Sequence, residues 1–103
     1  MTVAEESNFA ELLRSPKPLL VDFWAPWCGP CRMLGPTIEE VEAEFGDRIC
    51  VAKCNVDDCP GIASRYGIQS IPSVFLFVAG SPVGKSVGLV PKANIVSLIE
   101  KSL

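Results

Sequence analysis

Residues 19–31 read LLVDFWAPWCGPC, and this stretch decides the expected fold. Its first half, Leu19–Trp24, is apolar on both faces except for one carboxylate, which predicts a strand in the middle of a covered sheet. After Trp27, apolar residues recur at spacings of four, three and four, the pattern of an amphipathic helix. The stretch therefore places Cys28 and Cys31 where a strand ends and a long helix begins.

The start of a helix is a favourable place for a thiolate. Unpaired backbone N–H groups and the positive end of the helix dipole gather there, and the thiolate is the attacking form of cysteine. We therefore expect Cys28 to ionise more readily than a free cysteine, and Cys31, one turn further in, to be better shielded. A CxxC is also half of a zinc site, so metal binding stays an alternative. The lack of a second CxxC favours redox chemistry and no bound metal.

Length and composition narrow the classes of protein. The 103 residues, of which 49% are hydrophobic and 20% charged, suit one domain covering residues 1–103 with its own core. No apolar run approaches the roughly 20 residues that cross a bilayer, and the net charge of -3 with scattered Lys and Arg argues against nucleic-acid binding. The absence of histidine excludes Cys-His catalysis.

The five cysteines and the N-terminus indicate the compartment. An odd number leaves at least one thiol free, which suits a reducing environment. The acidic start, Met1–Ser7, lacks the basic and apolar segments of a secretory signal. Both features predict a cytoplasmic location.

Three further cysteines lie outside the CxxC. Cys50 and Cys54 share one face of a predicted strand but stand ~13 Å apart at ~3.3 Å per residue, beyond the ~7 Å limit for a disulfide. We expect both to be small buried core residues. Cys59 precedes Pro60 in a predicted loop, so we expect it to be exposed and make it the candidate for regulatory oxidation or intermolecular pairing.

Asp22 interrupts the apolar strand, where an unpaired carboxylate would be costly and would hold its proton more tightly. Lys53 interrupts a second apolar strand in the same way, so a buried or water-linked pair is expected. One interpretation is a simple salt bridge or a strand edge that reaches water. The functional interpretation makes Asp22 the proton acceptor that helps to deprotonate Cys31, directly or through water.

The rest of the chain completes an α/β pattern of helix, strand, helix, strand, helix, hairpin and helix. Pro36 lies inside the long helix and predicts a kink. Pro72 lies at the first position of a strand; a cis bond before it is possible, but no local feature establishes one. The remaining predicted elements are a helix over 7–14, a strand over 49–56, a helical segment over 60–67, hairpin strands over 73–78 and 83–89 joined by 79–82, and a helix from Pro91.

These residues together resemble the thioredoxin family from end to end. Trp24–Cys31 is similar to the family's WCGPC signature and its flank, and further landmarks recur at 21–23, 36, 53–57, 66–68 and 71–73. The resemblance implies a thioredoxin fold, a central mixed sheet flanked by helices on both faces. It departs from the common pattern at Arg32, Ser70, Ser73 and Pro91.

The resemblance also implies roles for individual residues. Asp22 becomes the buried acid, Lys53 its neighbour, and Pro72 a cis-proline that faces the disulfide. A groove would receive the partner's extended chain, with Trp27 available as part of the docking surface. The groove residues are Gly29, Pro30, Ile71, Pro72, Val87 and Gly88.

The implied activity is protein-disulfide reduction, in which Cys28 attacks a target disulfide and Cys31 resolves the mixed disulfide. A monomer without bound cofactor would serve electron transport and cell redox homeostasis, and a reductase using flavin and NADPH, or ferredoxin, would recycle it. A disulfide oxidant or isomerase is the nearest alternative, but such proteins commonly carry histidine between the cysteines. A binding module with incidental thiols is the alternative from another class.

Overall fold

A five-stranded mixed sheet organises the chain. The structure, a computed structural model, describes residues 1–103. The strand order is β1-β3-β2-β4-β5, and a short 3-10 helix covers Gly46–Arg48. The elements are β1 Thr2–Val3, α1 Phe9–Leu12, β2 Leu19–Trp24, α2 Gly29–Phe45, β3 Cys50–Asn55, α3 Pro60–Arg65, β4 Ser73–Val78, β5 Ser81–Val87 and α4 Lys92–Glu100.

The predicted central position of β2 is confirmed. It pairs parallel with β3 and antiparallel with β4, so it has neighbours on both sides. Its alternate residues face two separate cores: Leu20 packs with α2 and α4, whereas Leu19, Val21 and Phe23 pack with α1 and α3. Helices therefore cover both faces of the sheet, which explains why almost every residue of β2 is apolar.

Helix α2 connects the two parallel strands and carries the predicted apolar stripe inward. Leu34, Ile38, Val41 and Phe45 are all buried. The helix runs through Pro36 without interruption and ends at Gly46, whose φ of 54° suits a residue without a side chain. The kink at Pro36 stays a prediction.

The predicted elements are shifted by one or two residues at several ends, and they differ from the structure most in three places. Strand β1 was not predicted, because two exposed residues give no hydrophobic alternation. Helix α1 covers 9–12 rather than 7–14, since the Asn8 side chain accepts a hydrogen bond from Glu5 N and donates one to Val3 O, which holds a turn there. The hairpin turn is Ala79-Gly80 alone, both with positive φ, and Pro82 lies within edge strand β5.

No helix in the structure combines the length and the apolar character needed to cross a membrane.

Candidate active site

Cys28 lies at the N-terminus of α2, as predicted. It is the N-cap residue in an extended conformation, and its sulfur accepts a hydrogen bond from Cys31 N at 3.2 Å. The two cysteines form a disulfide with their Cα atoms 5.3 Å apart. A backbone N–H that points at Cys28 Sγ stabilises negative charge on that sulfur when the bond is reduced.

The disulfide lies just below the surface. Cys28 is 6% exposed and Cys31 4%, so the expected difference in shielding is present but small. Trp27, beside them, is 66% exposed. A partner that approaches this end of α2 therefore meets the exposed indole of the residue that precedes Cys28.

A loop before β4 closes over the disulfide. The Ile71-Pro72 bond is cis, and the carbonyl oxygen of Ile71 lies 3.7 Å from Cys28 Sγ. Pro72 O accepts a hydrogen bond from Gly88 N at 2.7 Å, which ties the end of β5 and the half-exposed Val87 to the same loop. All six predicted groove residues thus adjoin another member of the set or one of the disulfide cysteines, and Pro30 is exposed in the first turn of α2.

Asp22 is buried and has no ion-pair partner. It is 1% exposed, and burial raises the pKa of its carboxyl from 3.8 to about 6, while the positive charge of Lys53 opposes that rise. Lys53 is its register partner in β3, but its ammonium lies 4.2 Å from the centre of the Trp24 ring. Asp22 and Lys53 therefore form no direct salt bridge, and the lysine acts on the carboxyl through its charge. The central position of β2 also excludes a strand edge that reaches water, while a water-linked pair stays a prediction.

Two buried side-chain atoms of β2 have no hydrogen-bond partner in the protein. They are Oδ1 of Asp22 and Nε1 of Trp24, both buried. Trp24 packs against the small buried cluster of Ala25, Cys28 and Cys31. The carboxylate thus has unused capacity to accept a proton or a hydrogen bond.

Two contacts of the site were missed by sequence reasoning. Trp27 Nε1 donates to Asp57 Oδ2 at 2.8 Å, and Arg32 Nη1 donates to Pro26 O at 2.9 Å. The first joins residues far apart in sequence, so no local pattern signals it. The second ties the loop before Cys28 to the first turn of α2.

The predictions for the other cysteines are partly wrong. Cys54 is buried as expected, and Cys50 is half-buried with its sulfur 3.3 Å from Ser15 Oγ. The expected exposure of Cys59 is wrong: it is fully buried, and its thiol donates to Ala4 O at 3.4 Å. The reason is the unpredicted strand β1, which brings the N-terminal segment over Cys59.

The described residues contain no group of three or more His, Cys, Asp and Glu side chains arranged to hold a metal ion.

Comparison with known proteins identifies the family. The thioredoxin family profile matches residues 1–101. The chain belongs to the thioredoxin family. A thioredoxin of Griffithsia pacifica is 46% identical over 101 residues, covering 98% of this chain and 93% of the relative. Thioredoxin 1 of Synechococcus elongatus is 47% identical over 93 residues, covering 90% and 87%.

A chloroplastic M-type thioredoxin of Chlamydomonas reinhardtii is 48% identical over 92 residues, covering 89% of this chain and 66% of the relative. The thioredoxin fold explains the mixed sheet with helices on both faces. As a member of this family, the chain is a thiol-disulfide oxidoreductase that reduces protein disulfides by dithiol/disulfide exchange.

Proposed function

We propose that Cys28 is the attacking thiolate and Cys31 the resolving thiol. Cys28 Sγ bonds to one sulfur of the target disulfide and expels the other as a thiolate. Cys31 then attacks Cys28 Sγ, which releases the reduced target and leaves the Cys28–Cys31 disulfide. The observation that carries this assignment is the bond from Cys31 N to Cys28 Sγ at 3.2 Å, because it favours charge on Cys28.

Asp22 serves in this proposal as the proton acceptor for Cys31, directly or through water. A base works best when its pKa lies near the working pH, and burial raises that of Asp22 to about 6. The unpartnered Oδ1 supports the same role. The positive charge of Lys53 lowers the pKa of the Asp22 carboxyl and so limits the rise that burial causes.

The partner's extended chain binds beside the disulfide in this proposal. Gly29 and Pro30 form one side, Ile71 and Pro72 the other, and Val87 and Gly88 extend it, with Trp27 at the rim. The hydrogen bond from Gly88 N to Pro72 O supports this arrangement, because it fixes the distance between the Ile71-Pro72 pair and the Val87-Gly88 pair. Residues 1–103 act as one domain and as a monomer, which sedimentation at working concentration tests.

A dedicated reductase returns the disulfide to the dithiol, either a flavoprotein using NADPH or a ferredoxin-dependent enzyme, and no bound cofactor is needed. Assays with each reductase separate the two routes. We also propose a cytoplasmic location with a role in electron transport and redox homeostasis, supported by the three free thiols. Fractionation of the source cells tests the location.

The decisive experiment is trapping with Cys31→Ser. This variant should attack insulin and stop at a mixed disulfide between Cys28 and the insulin chain, because the resolving sulfur is gone. Cys50→Ser, which removes a thiol at the far end of β3, is the matched control and should turn over normally. A mixed disulfide through any cysteine other than Cys28, or full turnover by Cys31→Ser, would contradict the assignment.

A further inference from the structure

Two cysteines outside the active site are brought together by a reversal of the chain after β3. Asn55 O accepts hydrogen bonds from Asp58 N at 3.0 Å and from Cys59 N at 3.1 Å. This turn returns the chain so that Cys59 lies near Cys54, close enough for its thiol to influence the ionisation of Cys54. Both are fully buried in one core cluster. We call Cys54 and Cys59 the inner thiol pair.

The surroundings of the inner thiol pair favour the protonated thiols. Burial raises the pKa of Cys54 well above its usual range, and the neighbouring Cys59 thiol raises it further. The negative charges of Glu6 and Asp58 act in the same direction. The Cys59 thiol donates a hydrogen bond to Ala4 O. The covered pair is therefore unreactive, because thiol exchange requires a thiolate.

The cover over the pair is the N-terminal segment, residues 1–6. Strand β1 has only two residues and lies at the edge of the sheet. Ala4 N donates to Lys53 O at 2.8 Å, and Glu6 Oε1 accepts from Ile62 N at 2.9 Å. The Met1 ammonium also pairs with Glu42 Oε2 at 3.0 Å. A two-residue strand at the edge of a sheet is nevertheless among the first parts of a fold to open.

We propose that Cys54 and Cys59 form a second redox-active dithiol, which the N-terminal segment covers and which a small-molecule disulfide oxidises when that segment opens. Opening removes the Ala4 carbonyl from Cys59 and admits water. Cys59 loses its proton to water and attacks one sulfur of the disulfide, which expels the first thiolate. Cys54, deprotonated in turn, attacks Cys59 Sγ and expels the second. Two thiols are oxidised to one intramolecular disulfide, and the reagent is reduced to two thiols.

Peptide mapping of the intact protein tests the proposal. The fully reduced chain is treated with oxidised glutathione, quenched by alkylation in denaturant and digested with trypsin without reductant. Cleavage after Lys53 and Arg65 leaves both inner cysteines, and no others, on residues 54–65. We expect this peptide to lose two hydrogens and to carry no alkyl group. A second cut before Asp57 should leave its two fragments joined until they are reduced.

Three results would overturn the proposal. The first is a peptide that carries two alkyl groups although Cys28–Cys31 is oxidised in the same sample. The others are a peptide that keeps glutathione on Cys59 and a peptide that is disulfide-linked to a second copy of the chain.

The role of the cover is tested by Glu6→Ala. Loss of the bond to Ile62 N should speed oxidation of the inner pair about fivefold, since side-chain bonds to helix N-termini are worth that much in an equilibrium. Glu6→Gln is the matched control, because it removes the same negative charge near Cys54 but keeps a side-chain oxygen that can accept from Ile62 N. Oxidation of Cys28 and Cys31 should be unchanged in both. Equal rates for the inner pair in Glu6→Ala and Glu6→Gln would contradict gating by the segment.

Discussion

The two cysteine pairs of this chain show how the backbone decides what a thiol does. Cys28 Sγ accepts a hydrogen bond from a backbone N–H at the start of α2, whereas the Cys59 thiol donates one to a backbone carbonyl under the N-terminal segment. An N–H donor stabilises a thiolate, and a carbonyl acceptor stabilises a thiol. The same side chain is therefore reactive at one place and inert at the other.

The largest expected effect is the loss of insulin reduction when the active-site pair, rather than the inner thiol pair, is altered. Cys28→Ser should abolish insulin reduction with dithiothreitol as the electron source, because the attacking sulfur is removed. The measurement is the rate of insulin precipitation above that of dithiothreitol alone. A Cys28→Ser variant that retained measurable catalysis would show that the reacting thiol lies elsewhere.

The next effect concerns Asp22, the buried carboxyl of β2. Because the folded state holds the Asp22 proton up to about pH 6 and the unfolded state releases it near 3.8, the folded state binds more protons between these values. Stability therefore falls as the pH rises through this window. At about 1.4 kcal/mol per pKa unit, the loss is roughly 3 kcal/mol.

Asp22→Asn removes this dependence. The free energy of unfolding of the variant, relative to the parent, should grow by up to roughly 3 kcal/mol between about pH 4 and about pH 7. Urea unfolding at both pH values measures it. Resolution of the mixed disulfide should also be slower in the variant. A difference in stability that does not change with pH would contradict burial of an ionising carboxyl.

A smaller effect is expected at the rim of the site. Asp57→Ala removes the acceptor for Trp27 Nε1 and should raise the KM for protein disulfides about two- to fivefold, as loss of one exposed hydrogen bond allows. Asp58→Ala, the neighbouring exposed carboxylate, is the matched control and should leave KM unchanged. If both variants behaved alike, charge rather than the bond to the indole would explain the effect.

The smallest effect on activity is expected at the inner thiol pair. Cys59→Ala should reduce insulin at the parent's rate, because no step of that reaction uses this thiol. Its free energy of unfolding should fall by about 1 kcal/mol through the small cavity left in a buried site. Urea unfolding measures the loss. A large fall in insulin reduction with stability intact would mean that the inner pair takes part in the reaction.

The active pair was predictable because local signals coincide there. An apolar strand, a helical stripe and a CxxC at their junction are enough to place Cys28 at a helix start. The order of the main elements follows from the same periodicity. Asp22 was also predictable as a buried carboxyl, because every side chain of a central strand covered on both faces lies inside the protein.

The inner pair was not predictable, because its burial depends on contacts across the chain. A cysteine beside Pro60 is typical of an exposed loop, and only the pairing of β1 with Ala52 and Lys53 brings Ala4 over Cys59. The contact between Lys53 and Trp24 was missed for a similar reason. The strand register places Lys53 beside Asp22, but the Trp24 ring attracts the Lys53 ammonium.

The pH dependence of alkylation in the fully reduced protein tests the contrast between the pairs most directly. Iodoacetamide labelling, followed peptide by peptide, should give Cys28 a midpoint well below the ordinary ~8.5 of a free thiol, while Cys54 and Cys59 stay unlabelled over the same range. A midpoint for Cys28 at or above the ordinary value, or labelling of Cys59 as fast as Cys28, would contradict the claim that backbone hydrogen bonding sets the reactivity of these thiols.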